Sequence, residues 1–141
     1  MTDLFLRDSP ILTPQAGLAT RAEHPGRQSE QASPLAVFAL AENLVAPLAK
    51  ALGAEPTPLR VAQSPLWRAP GIDLLTPGIG APATAICVEK LVASGARALL
   101  FLGYAGGLHP HMNAGDHLLV TGAYIDEGTS RHYARAPYEP P

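Results

Sequence analysis

The sequence is poor in cysteine, in charge of either sign and in long apolar runs. Its single cysteine, Cys87, cannot form an internal disulfide, and one cysteine with five scattered histidines does not make a zinc pattern. Ten basic and twelve acidic residues give a net charge of −2, so the chain has no basic field to attract nucleic acid. No run reaches the roughly 18 apolar residues of a membrane span. The first residues also lack the basic and apolar stretches of a signal peptide. We therefore expect a cytoplasmic protein without nucleic-acid or membrane partners.

The chain does contain enough apolar residues for a core. Hydrophobic residues make up 47% of its 141 residues, a length that suits one domain. Thirteen glycines and fifteen prolines predict frequent turns. Residues 1–33 combine prolines, glycines and a polar run, so we expect a poorly organised N-terminal segment there, which could instead order on a partner subunit.

The next segment is predicted to be helical. Ser33 suits the N-cap, Pro34 suits the first helical position, and apolar residues recur at roughly helical spacing over 35–52. Gly53 suits the end of this helix. A short strand is predicted over 59–62, within a proline-rich stretch.

From residue 71 the pattern becomes strand, turn, helix, strand. Residues 72–75 and 98–102 are continuous apolar runs, as in strands buried on both faces, and residues 82–94 between them predict a helix. Together they predict a βαβ unit with parallel strands, and a third strand is expected from 118 towards 125. The predicted fold class is α/β, with a mainly parallel twisted sheet and helices on its faces.

Two glycine clusters follow the predicted parallel strands. Gly78 and Gly80 follow the first strand, and residues 103–107 follow the second. Ligands bind beyond the carboxyl ends of parallel strands, and glycine lets backbone N–H groups approach a ligand closely. The alternative is that both clusters are only tight turns. Neither has the spacing of a P-loop or of a dinucleotide fingerprint.

Four motifs follow one another in this region. They are Pro77-Gly78-Ile79-Gly80-Ala81-Pro82-Ala83-Thr84-Ala85-Ile86 with Glu89, Gly103-Tyr104-Ala105-Gly106-Gly107-Leu108, Asn113-Ala114-Gly115-Asp116-His117-Leu118-Leu119-Val120, and Asp126-Glu127-Gly128-Thr129-Ser130-Arg131-His132-Tyr133. In this order they resemble the nucleoside phosphorylase superfamily, which includes purine nucleoside and uridine phosphorylases and related nucleosidases. The resemblance is good over 71–133, weak over 34–70 and poor over 1–33.

The resemblance implies cleavage of the N-glycosidic bond of a nucleoside, with phosphate or water as the attacking group. It implies no metal or organic cofactor, and inorganic phosphate is a possible co-substrate. The substrate-binding residues that it implies are Gly78, Ile79, Gly80, Gly103, Tyr104, Ala105, Gly106 and Gly107, with possible loop contacts from Glu127, Arg131 and His132.

The sequence departs from the family pattern in side chains and in length. Phosphorylases usually place an arginine at the position of Phe101 and a threonine or serine at that of Tyr104. Their early Gly-Asp-Pro-x-Arg phosphate loop is not visible in residues 1–33. Because family domains are longer, we expect residues 34–141 to be the N-terminal half of such a domain, as a fragment, a truncated product or half of a split enzyme.

Three functions remain open at this point. The first is a nucleoside-cleaving enzyme that acts as a homo-oligomer or with a complementary C-terminal half. The second is a non-catalytic half-domain that binds a nucleoside weakly or serves as an assembly partner. The third is an unrelated Rossmann-like protein with a nucleotide phosphate at the helix that begins near Pro82.

Other candidate residues carry weaker signals. Asp126 joins Glu127, Arg131 and His132 in a charged cluster that could contact substrate or could hold its own loop together. Three histidines have a spacing that fits no standard metal site, so we expect a solvated loop; they are His109, His111 and His117. Cys87 is expected to be a small core residue, and Trp67 is expected to anchor packing or a subunit contact.

Overall fold

The computed structural model of the chain describes residues 31–133 and 138–139. The poorly organised segment predicted at residues 1–33 therefore lies outside the described residues, except for residues 31–33. The elements in chain order are β1 Leu35–Ala39, α1 Glu42–Leu52, β2 Glu55–Val61, β3 Ser64–Ala69, β4 Ile72–Leu75, α2 Ala81–Ala93, β5 Ala98–Leu102, β6 Ala123–Tyr124, a 3₁₀ turn Ser130–His132 and β7 Tyr138–Glu139.

Five strands form one mixed sheet in the order β2-β3-β4-β1-β5. β1 lies between β4 and β5 and is parallel to both. β3 is antiparallel to β2 and to β4. A separate two-stranded antiparallel ladder joins β6 to β7. The α/β class is confirmed, and the sheet has as many antiparallel as parallel pairings because β2 and β3 form a hairpin at one edge.

The predicted helix over 35–52 is wrong in its first part, because Leu35–Ala39 is a strand and the helix begins only at Glu42. Every residue of β1 is apolar, which suits a strand that neighbours cover on both sides. Pro34 does not open a helix, since its carbonyl oxygen accepts hydrogen bonds from the N–H groups of Arg97 and Ala98, at 2.9 and 3.0 Å. The prediction failed because an apolar run of five residues fits either structure until its partners are known.

The two helices cover opposite faces of the sheet. On one face Cys87 and Leu91 of α2 join Phe38 and Leu75 in a buried cluster. On the other face α1 contributes Ala49 and its leucines to a second cluster around the central strands. A sheet with a helix on each face is the layered arrangement that buries both sides of parallel strands.

The elements predicted after residue 71 are confirmed as far as β5. The strands at 72–75 and 98–102 have the predicted bounds, and the helix predicted at 82–94 lies at Ala81–Ala93. The strand predicted at 59–62 proves to be the end of β2 in a longer hairpin, and the third strand is limited to Ala123–Tyr124. Within the described residues, no helix has the length and apolar character needed to cross a membrane.

Candidate functional site

Three loops leave the same edge of the sheet, because β1, β4 and β5 are parallel. In the sheet register Phe38 lies opposite Leu75, and Ala39 lies opposite Leu102. The three strands therefore end together, and we call the segments that follow them, residues 40–41, 76–80 and 103–107, the carboxyl-edge loops. The two predicted glycine clusters belong to the outer two loops, which begin roughly 10 Å apart on either side of β1.

The middle loop contacts the glycine loop that follows β5. The N–H of Leu40 donates a hydrogen bond to the carbonyl of Leu102 at 2.8 Å. A Cβ atom added at Gly103 would lie 3.2 Å from both Cβ and Cδ1 of Leu40, closer than most real contacts. The contact explains the glycine at 103, and it brings the loop after β1, which the sequence analysis had not singled out, into the candidate site.

The glycines after β4 shape the start of α2. A Cβ atom at Gly78 would lie 3.0 Å from the Cβ of Ala83, so a side chain there would press on the first turn of the helix. Gly80 occupies the N-cap position with φ +96°, a backbone conformation that favours glycine. The turn can therefore pass from strand to helix within five residues while its backbone stays open to a ligand.

The carboxyl-edge loops carry no charged side chain, and most of their residues are exposed. Ile79 and Tyr104 project into solvent, and Gly106 has open space around its Cα. The hydroxyl of Thr76 is a buried polar atom without a hydrogen-bond partner among the described residues. The structure thus brings Gly78, Ile79 and Gly80 to the same edge as residues 103–107, in a setting that offers backbone groups and apolar side chains to a ligand.

The charged cluster at 126–133 is largely occupied by its own contacts. The carboxylate of Glu127 accepts hydrogen bonds from the N–H groups of Thr129 and Ser130, at 2.7 and 2.6 Å. Hydrogen bonds from the Ser130 side chain and backbone, then from Thr129, lower the pKa of Glu127 to about 2. Glu127 therefore serves to cap the 3₁₀ turn, while Arg131 and His132 are exposed on that turn.

The same turn is tied to the second helix. The hydroxyl of Tyr133 donates a hydrogen bond to Oε1 of Glu89 in α2 at 2.8 Å. This bond is the largest cause of a raised pKa at Tyr133, because the proton that it shares would be lost on ionisation. Glu89, one of the residues that carried the family resemblance, thus holds the 126–133 segment against α2.

The sequence did not predict a buried ionic cluster at the opposite edge of the sheet, where the parallel strands begin and which we call the amino edge. Asp73 is fully buried and accepts hydrogen bonds from the N–H and the hydroxyl of Ser33, both at 2.9 Å. Arg68 donates to the same carboxylate from Nε at 2.7 Å and Nη2 at 3.1 Å. The available signal was an aspartate inside an otherwise apolar strand, since a buried charge needs partners.

An open cavity of about 870 Å³ lies at this amino edge. Ser33 and Arg68 are among the residues that line it, together with Gly71 and Arg97. None of the predicted site residues is among its lining residues, so this cavity is separate from the carboxyl-edge loops.

Cys87 and Trp67 have structural roles, and the histidines that the sequence offered as weak candidates form no metal site among the described residues. Cys87 is buried, with its sulfur 3.9 Å from Oγ of Ser64, which confirms a core residue. The rings of His109 and His111 lie 5.0 Å apart on an exposed loop, and the described residues hold no group of three or more metal-binding side chains. Trp67 is half-buried and packs on the α1 side of the sheet, in agreement with its predicted packing role.

The family model for the phosphorylase superfamily matches residues 67–141, which is more than half of the chain. The chain belongs to the phosphorylase superfamily. The matched region begins in β3 and includes the glycine loops after β4 and β5, so two of the three carboxyl-edge loops lie inside it.

Individual members of the superfamily are similar to parts of this chain. The uridine phosphorylase of Haemophilus influenzae is 42% identical over 67 residues, which are 48% of this chain and 27% of that protein. The AMP nucleosidase of Bacteroides thetaiotaomicron superposes with a TM-score of 0.67 at 27% identity, over 87% of this chain and 52% of that one.

A second solved structure agrees in fold. The uridine phosphorylase of Vibrio fischeri has a TM-score of 0.65 at 24% identity, over 82% of this chain and 51% of that one. This superfamily chain therefore spans about half the length of its structural neighbours, and its alignment spans about a quarter of the Haemophilus protein.

The structure also describes the two positions where this member departs from the phosphorylase pattern. The ring of Phe101 stacks on that of Phe38, so an aromatic contact occupies the position at which phosphorylases usually have an arginine. Tyr104 is exposed two residues beyond the end of β5. The turn after the first described strand lies at 40–41, outside residues 1–33, and it contains no basic residue.

Proposed function

We propose that this chain takes part in cleaving the N-glycosidic bond of a nucleoside. The observation that carries the proposal is the convergence of the three carboxyl-edge loops in a chain that belongs to the phosphorylase superfamily. The similar proteins named above are phosphorylases and a nucleosidase, which supports the reaction class. Ligands of parallel α/β sheets bind at this edge.

The proposed nucleoside-binding residues are those of the two glycine loops. Gly78, Ile79 and Gly80 would line one side of the ligand and residues 103–107 the other, with backbone N–H and C=O groups meeting the base and ribose. Exposed Arg131 and His132 are better supported as loop contacts than Glu127, because two backbone N–H groups of the 3₁₀ turn already bond its carboxylate.

The experiment is release of free base from a panel of purine and pyrimidine nucleosides, with and without phosphate, followed by chromatography. Release that depends on Gly103 supports the proposal, because Gly103 sits where two of the loops meet. Gly128→Ala is the matched control, since its Cα has open space and its substitution should not disturb the loops. A folded chain that neither releases base nor binds any nucleoside would contradict the proposal.

A second candidate function is a non-catalytic domain that binds a nucleoside weakly or assembles with another polypeptide. The observation that favours it is β5, which has β1 as its one partner strand among the described residues. Leu100 is 45% exposed and Phe101 is 43% exposed, on opposite faces of this edge strand. Such an edge is suited to pairing with a further strand. The proposed partner is a second copy of the chain or a polypeptide with the complementary C-terminal half.

This candidate is tested by the association state of the purified chain in sedimentation, and by nucleoside binding without base release.

We also propose that residues 34–141 form one phosphorylase-type half-domain and that it works in the cytoplasm, where a free buried thiol such as Cys87 stays reduced.

A further inference from the structure

We infer that the hydrogen bond between Glu89 and Tyr133 is a positioning contact, which holds the 3₁₀ turn Ser130–His132 at a fixed place on α2. Through the turn, this contact determines where Arg131 and His132 lie. The inference rests on the proposed function, because that proposal offers these two basic residues as contacts of the nucleoside. Neither Glu89 nor Tyr133 needs to touch the ligand for the contact to affect binding.

The helix side of the contact is rigid. Cys87 and Leu91 of α2 are 1% and 2% exposed and pack in the same core cluster as Phe38. Glu89 lies two residues from each of them, and residues two apart on an α-helix project from different faces. Glu89 therefore points away from the core, and its Oε1 accepts the hydrogen bond of the Tyr133 hydroxyl at 2.8 Å. The acceptor is thus carried by a helix that the core holds in place.

The turn side of the contact is a small unit held by its own hydrogen bonds. The N–H groups of Thr129 and Ser130 donate to the Glu127 carboxylate. The N–H of His132 donates to the carbonyl of Thr129 at 3.0 Å, and the N–H of Tyr133 donates to that of Ser130, also at 3.0 Å. Because these bonds link the turn into one unit, a fixed Tyr133 ring also fixes the two basic residues directly before it.

The chain between β5 and the turn buries little apolar surface. Leu118, Leu119 and Val120 are 60%, 90% and 67% exposed. A segment with few buried apolar contacts opens locally at a low cost in free energy. The turn therefore depends on specific contacts such as the Glu89–Tyr133 hydrogen bond, more than on packing, for its place on the protein.

The second helix also connects the contact to the candidate site. α2 begins directly after Gly80, the last residue of the glycine loop that follows β4. Glu89 lies nine residues further along, which corresponds to about 13 Å of helix. Because the glycine loop and the 3₁₀ turn are attached to the same helix, the Glu89–Tyr133 hydrogen bond sets the spacing between them.

The test compares variants at both ends of the hydrogen bond. Tyr133→Phe removes the donor, Glu89→Ala removes the acceptor, and Glu89→Gln keeps an oxygen that can accept. Lys90→Ala is the matched control, because it shortens the next side chain of the same helix. We expect Y133F and E89A to speed hydrogen exchange of the His132 and Tyr133 amides by about fivefold, as the loss of one hydrogen bond would. E89Q and K90A should exchange like the unmodified chain.

The double variant E89A/Y133F shows whether the two residues act through one bond. If they do, the double variant exchanges no faster than either single variant. Single effects that multiply in the double variant, to about 25-fold, would overturn the inference, and so would unchanged exchange in both single variants. Tyr133 is 63% exposed, so the variants should fold, and urea unfolding verifies that they do.

A positioning role also predicts a particular kinetic change. A displaced contact that serves ground state and transition state alike raises KM and leaves kcat unchanged. For whichever of adenosine and uridine the chain cleaves, we expect Y133F and E89A to raise KM by about fivefold with kcat within about twofold, and E89Q to restore KM. For a chain that only binds, Kd replaces KM. A fall in kcat at unchanged KM would indicate a smaller folded fraction and would overturn the inference.

The path through the turn is tested in a chain that carries both Arg131→Ala and His132→Ala. In this background E89A should have no further effect on KM or Kd, because the residues that the turn positions are gone. A further loss of about fivefold would contradict the inference.

Failure of the proposed function has a different signature. An unmodified chain that neither binds nor cleaves a nucleoside would contradict the proposed function, and the positioning role with it. Normal nucleoside binding together with unchanged hydrogen exchange in Y133F and E89A would contradict the positioning role alone.

Discussion

The ring of Phe101 stacks on the ring of Phe38, with centroids 4.6 Å apart and planes inclined by 18°. Phe38 is fully buried in β1, the middle one of the three parallel strands, whereas Phe101 lies on the edge strand and is partly exposed. The pair is a cross-strand contact near the end of the parallel strands, directly before the carboxyl-edge loops. The aromatic pair therefore connects the buried core with the loop at 103–107, which begins two residues after Phe101.

Removing this aromatic contact should destabilise the fold. We expect Phe101→Ala to lower the free energy of unfolding by about 2 kcal/mol, less than the 3–5 kcal/mol of a fully buried phenylalanine because the ring is partly exposed. Urea unfolding measures the change. Phe101→Leu keeps apolar area without the stack and should lose about half as much. Equal stability of F101A and the unmodified chain would show that the stack contributes nothing.

The buried cluster around Asp73 should contribute more to the free energy of unfolding than the aromatic stack does. Asp73→Ala removes the acceptor of Arg68 and of two Ser33 donors, and we expect a loss of about 3–5 kcal/mol, since it leaves buried polar groups without their carboxylate. Ser33→Ala removes only the hydroxyl donor and should cost about 1 kcal/mol. Thermal or urea unfolding would compare them, and a D73A loss no larger than that of S33A would contradict the central role of the carboxylate.

Glu127 should titrate far below an ordinary glutamate. Its pKa is lowered from 4.5 to about 2 by hydrogen bonds from Ser130 and Thr129. A lowered pKa in the folded state means that this carboxylate favours folding above pH 4.5, and that its contribution disappears as the pH falls from about 4.5 to about 2. The amide shifts of Thr129 and Ser130 should follow this titration.

Glu127→Gln serves as the control for that measurement. In E127Q the amides of Thr129 and Ser130 should no longer move between pH 4.5 and pH 2. A midpoint near 4.5 in the unmodified chain would mean that the carboxylate does not cap the 3₁₀ turn.

The close approach of Gly103 and Leu40 predicts a functional effect. Gly103→Ala should push the loops at 40–41 and 103–107 apart, because the new methyl group would lie 3.2 Å from two atoms of Leu40. We expect nucleoside binding or base release to fall by about tenfold or more, since small displacements of binding groups are costly. Gly128→Ala should leave both unchanged, and an equal loss in the two variants would point to a general effect on folding.

The edge strand predicts the association behaviour. If β5 pairs with another chain, Leu100→Lys should weaken self-association by about tenfold, because a lysine on an edge strand opposes strand pairing. Val92→Lys makes the same change at a half-exposed position of α2 and should have no effect. Sedimentation velocity measures both variants. Unchanged association in L100K would mean that any oligomer forms elsewhere.

The sequence predicted the segment from 72 to 102 well, for identifiable reasons. Continuous apolar runs marked β4 and β5, and glycines marked both ends of α2. The glycine loops of the candidate site were also found, because their position after strands is readable from order alone. The loop at 40–41 was not found, because β1 had been taken for the start of a helix.

Composition and local pattern by themselves determined the α/β class, the βαβ unit, the glycine loops and the family resemblance, since each depends on residues close together in the chain. Only the tertiary structure decided that Leu35–Ala39 is the middle one of the three parallel strands, because its neighbours β4 and β5 lie more than thirty residues away. The tertiary structure also decided that Asp73 bonds Ser33 and Arg68, and that Leu40 lies against Gly103. These contacts depend on strand order, which local propensity does not encode.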